Sequence, residues 1–482
     1  MPSRSPLKIL IVATEVAPYS KTGGLGDVAG ALPKALRARG VDARVVFPKY
    51  KTINEKYLTD IETVASFTSH LSWRSQEATV CKIVDPDGVP IYLIENHHYF
   101  NRDNLYGFGD DYERFAFFSK SAVEMLSRID FKADLIHFND WQTGLGCTYL
   151  KDVYSGFTFF SKMKSLFTIH NLHYQGVFGR EILWAVGLND GYFTNGSLEY
   201  YSNISFLKAG LMHSDAASTV SGTYAAEIQT SSFGFGMEGL LSQRGAENKL
   251  FGILNGIDTK VNDPKTDPRI YVNFDKKSYH LKKENKYRLQ ADMGLAVGDM
   301  PLIGIVSRLV DQKGFDIISL IMDELTDRDI QLVVLGMGEG RYENVFRTYA
   351  WRMPHKVAVS IAFDDTLAQR IYAACDIFLV PSVYEPCGLT QMIAMRYGAV
   401  PVVRKTGGLA DTISHYNPET GQGNGFVFED YVASGLMWAI NGALSIYGTD
   451  DWKKITTNAI SGDFSWDRSA GEYIDLYKKI IG

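Results

Sequence analysis

One short glycine-rich stretch limits most strongly what this chain can fold into. A fully apolar run, Ile9-Leu10-Ile11-Val12-Ala13, precedes Lys21-Thr22-Gly23-Gly24-Leu25-Gly26-Asp27. Uninterrupted apolar runs of this length read as buried strands. Beyond the glycines, Val28, Leu32, Ala35 and Leu36 recur at helical spacing until Gly40 closes the segment. Strand, glycine loop and helix in that order belong to a parallel α/β sheet. In such a loop glycines let the backbone approach a phosphate, and the helix start adds N–H groups and positive potential. Lys21 adds a full cation. The string is neither GxGxxG nor a P-loop ending in GKS or GKT, so a bare turn between strand and helix is the competing reading.

The string returns far down the chain as Lys405-Thr406-Gly407-Gly408-Leu409-Ala410-Asp411, again behind an apolar run, Val400-Pro401-Val402-Val403. Two copies of one strand–loop unit imply two similar α/β halves facing each other. A chain of 482 residues also exceeds one ordinary core. We expect a first domain over 1–259 and a second over 260–462. An amphipathic helix within 463–482 is expected to pack back on the first. Alternating residues between Thr52 and Tyr99 read as a β-rich insertion. From Thr259 to Met300 the apolar pattern fades and lysine, asparagine and proline accumulate, which reads as the crossing between domains.

The net charge of −6 argues against nucleic acid, which favours a basic face. No apolar run reaches membrane-span length. Residues 1–7 are polar with no apolar signal core. Cys81, Cys147, Cys375 and Cys387 show no CxxC or metal-ligand spacing, which suits a reducing compartment. A start at Met1 favours a bacterial cytoplasm. A mature plant or algal chain would sit in the plastid stroma.

In open α/β sheets, ligands sit beyond the carboxyl ends of the strands. Four strand-like runs of the first half end in Asn139-Asp140-Trp141-Gln142, His170-Asn171, Ser221 and Asn255-Gly256-Ile257-Asp258. Asparagine, aspartate and serine there can be simple helix caps; histidine is a poor cap, which favours a functional His170. No acid lies about 20 residues after the first loop, so a ribose-holding nicotinamide site is disfavoured. The second half offers Ser307-Arg308, Lys313-Gly314 and Glu385-Pro386-Cys387-Gly388-Leu389-Thr390-Gln391 behind its own strands. Lys21, Arg308 and Lys313 suit a pyrophosphate whose leaving charge must be stabilised. Arginine grips phosphate oxygens bidentately and lysine acts as a point charge. No carboxylate cluster has Mg²⁺-binding spacing, so no metal and no cofactor is expected.

Taken together, these strings resemble the bacterial and plastid glycogen/starch synthases. Further matches are Asn104-Leu105-Tyr106-Gly107, His170-Asn171-Leu172, Tyr174-Gln175-Gly176, Phe206-Leu207-Lys208-Ala209-Gly210, Gly236-Met237-Glu238-Gly239 and Leu254-Asn255-Gly256-Ile257-Asp258. The match runs in the family's order from about Lys8 to the C-terminal helix. The resemblance implies the α/β GT-B fold, two Rossmann-like domains facing across a deep cleft. It implies retaining transfer of glucose from ADP-glucose to the non-reducing 4-OH of an α-1,4-glucan, with release of ADP. By the same resemblance, Lys21 and Gly24 meet the diphosphate and the transferred glucose. Arg308 and Lys313 neutralise the leaving diphosphate. Glu385 holds glucose hydroxyls, helped by N–H groups of Cys387, Gly388, Leu389 and Thr390. His170 and Asn255 contact the donor sugar, while Asp27, Asn104 and Asp140 line the acceptor side. Two departures stand out. Ile393 occupies the position of a second glutamate in many related transferases, as is usual for this branch, and Gln142 stands where many family members carry histidine. Competing readings are a synthase using UDP-glucose as well, a non-catalytic glucan-binding scaffold, and a pyridoxal-dependent phosphorylase.

Overall fold

The structure, a computed structural model, describes residues 6–129 and 131–482; residues 1–5 of the polar start lie outside them. The chain divides into two compact units, one running to Gly256 and including Trp466–Gly482, the other Ile257–Ser465.

In the first unit the apolar run forms strand β1 (Lys8–Val12), followed by helix α1 (Gly24–Ala38) and β2 (Asp42–Pro48). Then come β3 (Glu62–Leu71), β4 (Arg74–Val84), β5 (Pro90–Glu95), β6 (Leu135–Asn139), α2 (Trp141–Thr148) and β7 (Lys164–Ile169). Further along come α3 (Phe206–His213), β8 (Ala216–Thr219) and β9 (Leu250–Gly252). The strands form one sheet in the order β9-β8-β7-β6-β1-β2-β5-β4-β3. From β9 to β5 neighbours run parallel, and β4 and β3 add an antiparallel edge. The segment 52–99 is therefore not a separate insertion. β5 pairs in parallel with β2 and belongs to the main sheet, and the β3–β4 hairpin continues it.

The C-terminal helix, Trp466–Ile481, buries Trp466, Tyr473, Leu476 and Tyr477 in this unit's core. Its start is tied to α1 by Arg39, which grips the Asp467 carboxylate through Nε and Nη2, both at 2.7 Å. Its end is tied to the sheet, where Tyr477 Oη lies 2.9 Å from His137 Nδ1. His137 sits fully buried on β6, with Nε2 2.6 Å from Thr168 Oγ1, and burial drives its pKa down to about 3. The imidazole is neutral at physiological pH.

The second unit opens with α4 (Lys282–Asp292) and continues through β10 (Leu302–Val306), α5 (Phe315–Asp327), β11 (Gln331–Leu335), β12 (Val357–Ser360), α6 (Asp365–Ala374) and β13 (Ile377–Val380). It closes with α7 (Thr390–Arg396), β14 (Val400–Arg404), α8 (Gly407–Thr412), β15 (Phe426–Phe428) and α9 (Ala433–Ile446) before the last helical turns. Its sheet is wholly parallel, ordered β12-β11-β10-β13-β14-β15. That is the doubly wound order, with its reversal between β10 and β13. Residues 259–300, expected as a crossing, belong to this unit instead. The polar residues that look like a linker are buried partners: Lys282 Nζ donates to the carbonyls of Tyr372, Ala373 and Tyr397 at 3.2, 3.0 and 2.9 Å, and burial lowers its pKa to about 8. Lys286 Nζ pairs with Asp376 at 2.7 Å. Among the described residues no helix is long and apolar enough to cross a membrane.

Candidate active site

In the first unit, the chain leaving β1 reaches Glu15, a residue the sequence reading passed over. Its buried carboxylate accepts the Thr22 N–H at 2.6 Å, the Gly23 N–H at 2.9 Å and the Thr22 hydroxyl at 2.7 Å. The Tyr106 hydroxyl donates to it at 2.8 Å. Two of the loop's amides, those of Thr22 and Gly23, are committed to Glu15, which clamps the loop that bears Lys21. Lys21 Nζ itself lies 2.7 Å from Asp27 Oδ1, both side chains partly exposed. Tyr106 brings in the segment containing Asn104, which is exposed two residues earlier. A carboxylate directly behind a buried strand needs several donors; that was the signal available for Glu15.

Asp140 and His170 stand beyond β6 and β7. The Asp140 backbone adopts φ 58°, ψ 175°, a conformation ordinarily left to glycine and costing about 1–3 kcal/mol. Its Oδ1 accepts the His170 N–H at 2.7 Å, and burial pushes its carboxyl up to about 7. Asn139 Nδ2 donates to the carbonyls of Val12 and His137, both at 3.1 Å, which makes its Oδ1 an acceptor. His170 Nε2, 2.9 Å from that oxygen, therefore carries the proton, and Nδ1 is left as an acceptor. Burial lowers the His170 pKa to about 3, so it works as a neutral imidazole and not as a cationic acid. Asn255, behind β9, is buried, and its Oδ1 has no hydrogen-bond partner among the described residues. Gln142 Oε1 is in the same state. Buried acceptors of this kind are rare unless a ligand or water completes them.

In the second unit, Arg308 and Lys313 follow β10 and Glu385 follows β13, the two strands flanking the reversal of strand order. Lys313 Nζ pairs with Glu385 Oε2 at 2.6 Å, and the Ser382 hydroxyl donates to the same oxygen at 2.9 Å. Glu385 is buried, Lys313 partly so. Arg308 is exposed, and its guanidinium meets no carboxylate among the described residues. Behind Glu385, Cys387 is buried and Gly388 takes φ +73°; the N–H groups of Gly388, Leu389 and Thr390 donate to no protein acceptor among the described residues.

The second glycine string backs the Glu385 loop. Gly408 N donates to the Glu385 carbonyl at 3.0 Å. A Cβ on Gly407 would overlap that same oxygen, and one on Gly408 would overlap the Cys387 carbonyl. Only glycine lets the two backbones meet this closely. Among the described residues no group of three or more His, Cys, Asp or Glu side chains could hold a metal ion.

In the second unit Arg308 and Lys313 can bind an anion and Glu385 can accept hydroxyls; in the first, Lys21 offers a cation, and His170 and Asn255 offer acceptors for hydroxyls. Comparison with known proteins points the same way. Residues 8–243 match the family model described as the starch synthase catalytic domain, and residues 292–460 match glycosyl transferases group 1. A glycogen synthase of Desulforudis audaxviator is 49% identical, with 98% of this chain and 96% of that protein covered. One of Clostridium novyi is 46% identical, covering 98% and 99%. Among solved structures, the catalytic domain of starch synthase IV from Arabidopsis thaliana bound to ADP and acarbose superposes with a TM-score of 0.92 at 33% identity, covering 99% of this chain and all of that one. The chain belongs to the glycogen synthase family of glycosyltransferases and has the GT-B fold.

Proposed function

We propose that this protein transfers glucose from ADP-glucose to the non-reducing-end 4-OH of an α-1,4-glucan, with retention at the anomeric carbon and release of ADP. The observation that carries this reading is the grouping of Arg308, Lys313 and Glu385 at the reversal point of the second sheet, where doubly wound sheets bind their ligands. Arg308 and Lys313 take the charge that develops on the leaving diphosphate, and Lys21 and Gly24 meet the diphosphate and the transferred glucose. Glu385 holds glucose hydroxyls, and the N–H groups from Cys387 to Thr390 meet oxygens of the donor. His170, through its acceptor Nδ1, and Asn255, through its unpartnered Oδ1, receive hydroxyls of the donor sugar. Asp27, Asn104 and Asp140 serve the acceptor chain.

In this reading none of these groups acts as a nucleophile. The acceptor 4-oxygen attacks the face from which the diphosphate departs. The C1–O bond to phosphate breaks as C1–O4 forms, and the acceptor proton passes to the leaving phosphate oxygen. The protein's own cations stand in for a metal, and no cofactor is required. Four buried free cysteines suit a reducing compartment, so we place the reaction in the cytoplasm. The relative solved with ADP and acarbose supports both an adenine nucleotide and an α-glucan ligand.

The test is the proton NMR spectrum of the product made from maltotriose with ADP-glucose or UDP-glucose. New α-linked glucose, formed faster from ADP-glucose, is expected. A β-linked product would overturn the mechanism, and faster transfer from UDP-glucose would overturn the donor.

A further inference from the structure

The second unit carries an aromatic-floored cavity that no group of the reaction uses. It lies beyond the carboxyl ends of β14 and β15 and encloses about 700 Å³. That is within the roughly 300–1,000 Å³ of ligand clefts. Its walls include Trp438, His415, Lys405, Glu429, Asp430 and Ser434. Trp438 projects from α9 with 60% of its surface exposed, although a helix bearing a buried face normally turns polar residues outward there. The indole is not loose. His415 lies flat against it, centroids 5.3 Å apart and planes 16° apart. The imidazole is fixed in turn, because its Nδ1 accepts the Val427 N–H at 3.0 Å. That bond leaves Nε2 carrying the proton, a donor beside the indole.

A rigid exposed indole flanked by hydroxyl-seeking groups fits a sugar ring. Rings stack on indole faces, and holding the platform still in advance reduces the entropy lost on binding. The charges favour an uncharged polyol over a nucleotide. Lys405 Nζ is already paired with Glu429 at 2.6 Å, and Asp430 adds a further carboxylate. Carboxylates accept sugar hydroxyls but repel phosphate. The cavity also lies back to back with the Glu385 loop: Gly407 and Gly408 at the start of α8 meet that loop, while Ala410 on the same helix and Ile413 just beyond it line the cavity.

We infer that the Trp438–His415 cavity is a docking site for an internal stretch of α-1,4-glucan, separate from the groups that carry out transfer. The inference rests on the glucan reading above. Its role is to hold a long polymer, so short acceptors do not need it.

The experiment compares wild type, Trp438→Ala and Asp430→Asn for retention in native gels containing glycogen, and for glucose transfer to glycogen and to maltotriose. Trp438 is exposed, so the variant is expected to fold; unchanged thermal midpoints check this. Expected for Trp438→Ala is at least fivefold weaker glycogen retention and a matching rise in half-saturating glycogen. With maltotriose, kcat and half-saturation stay within twofold of wild type. Asp430→Asn weakens glycogen retention by a smaller factor. Glycogen retention within twofold of wild type in both variants overturns the inference. So does a loss of self-association with unchanged glycogen retention, which gives the face to a second copy of the chain. Wild type that transfers glucose while Trp438→Ala retains glycogen normally refutes the docking site alone. Wild type that transfers nothing, with retention still weakened in Trp438→Ala, refutes the synthase reading alone.

Discussion

Glu15 organises the loop that carries Lys21. Its carboxylate gathers two amides and two hydroxyls around the loop bearing Lys21. Glu15→Gln sets an NH₂ donor against those donors. It should cost about 1–3 kcal/mol of stability and lower kcat more than it raises KM for the nucleotide sugar; kinetics beside a urea titration check both. His137, His170 and Asp140 set a testable pH dependence. Each histidine has its folded pKa depressed to about 3, so its contribution is present above pH 6.5 and lost as pH falls toward 3. Asp140 is raised to about 7, so its contribution is present below pH 4 and lost as pH rises through 7. Between pH 6.5 and 4 the unfolded chain takes up two protons at the histidines while the native chain keeps one on Asp140. Stability from these groups should fall by about 1.4 kcal/mol per pH unit of acidification. His137→Gln should flatten that slope by the same amount and Asp140→Asn should steepen it, as read by urea unfolding across pH 5 to 6.5.

At the level of elements, the two glycine strings share a sequence but not a task. The first supports Lys21; the second lets α8 press against the Glu385 loop. Gly408→Ala must push that loop outward. Displacements near 1 Å at a reacting centre cost on the order of a hundredfold, so kcat should fall by about that factor while Lys21 and its loop are untouched. An unchanged kcat would show that the second string is only a turn. The strand–loop–helix units and the residues at strand ends were legible because burial on both faces writes continuous apolar runs and because polar residues just beyond them are few. Three features were not legible. Glu15 is a single acid whose partners are backbone groups. The string at Gly407 owes its glycines to a neighbour in space. The stretch 259–300 reads as a linker because Lys282 and Lys286 look solvated, yet carbonyls and Asp376 receive them inside the fold.

For the whole molecule, the chain closes its first unit with its last helix. The Tyr477–His137 contact joins residues 340 positions apart. Tyr477→Phe leaves the His137 Nδ1 without its partner and should cost about 1–3 kcal/mol. Hydrogen exchange should quicken in β6 and β7 and stay unchanged in β10 and β13. Equal quickening in both units would contradict the assignment of that helix to the first unit alone. The central claim is the glucosyl transfer itself, with Lys21 and Arg308 each required for it. Glycogen-dependent release of ADP from ADP-glucose, measured for wild type, Lys21→Ala and Arg308→Ala, tests it most directly. The account predicts release that requires glycogen and that drops by at least a hundredfold in either variant, with both variants still folded. Undiminished release in Lys21→Ala, or no release by wild-type protein, would contradict it.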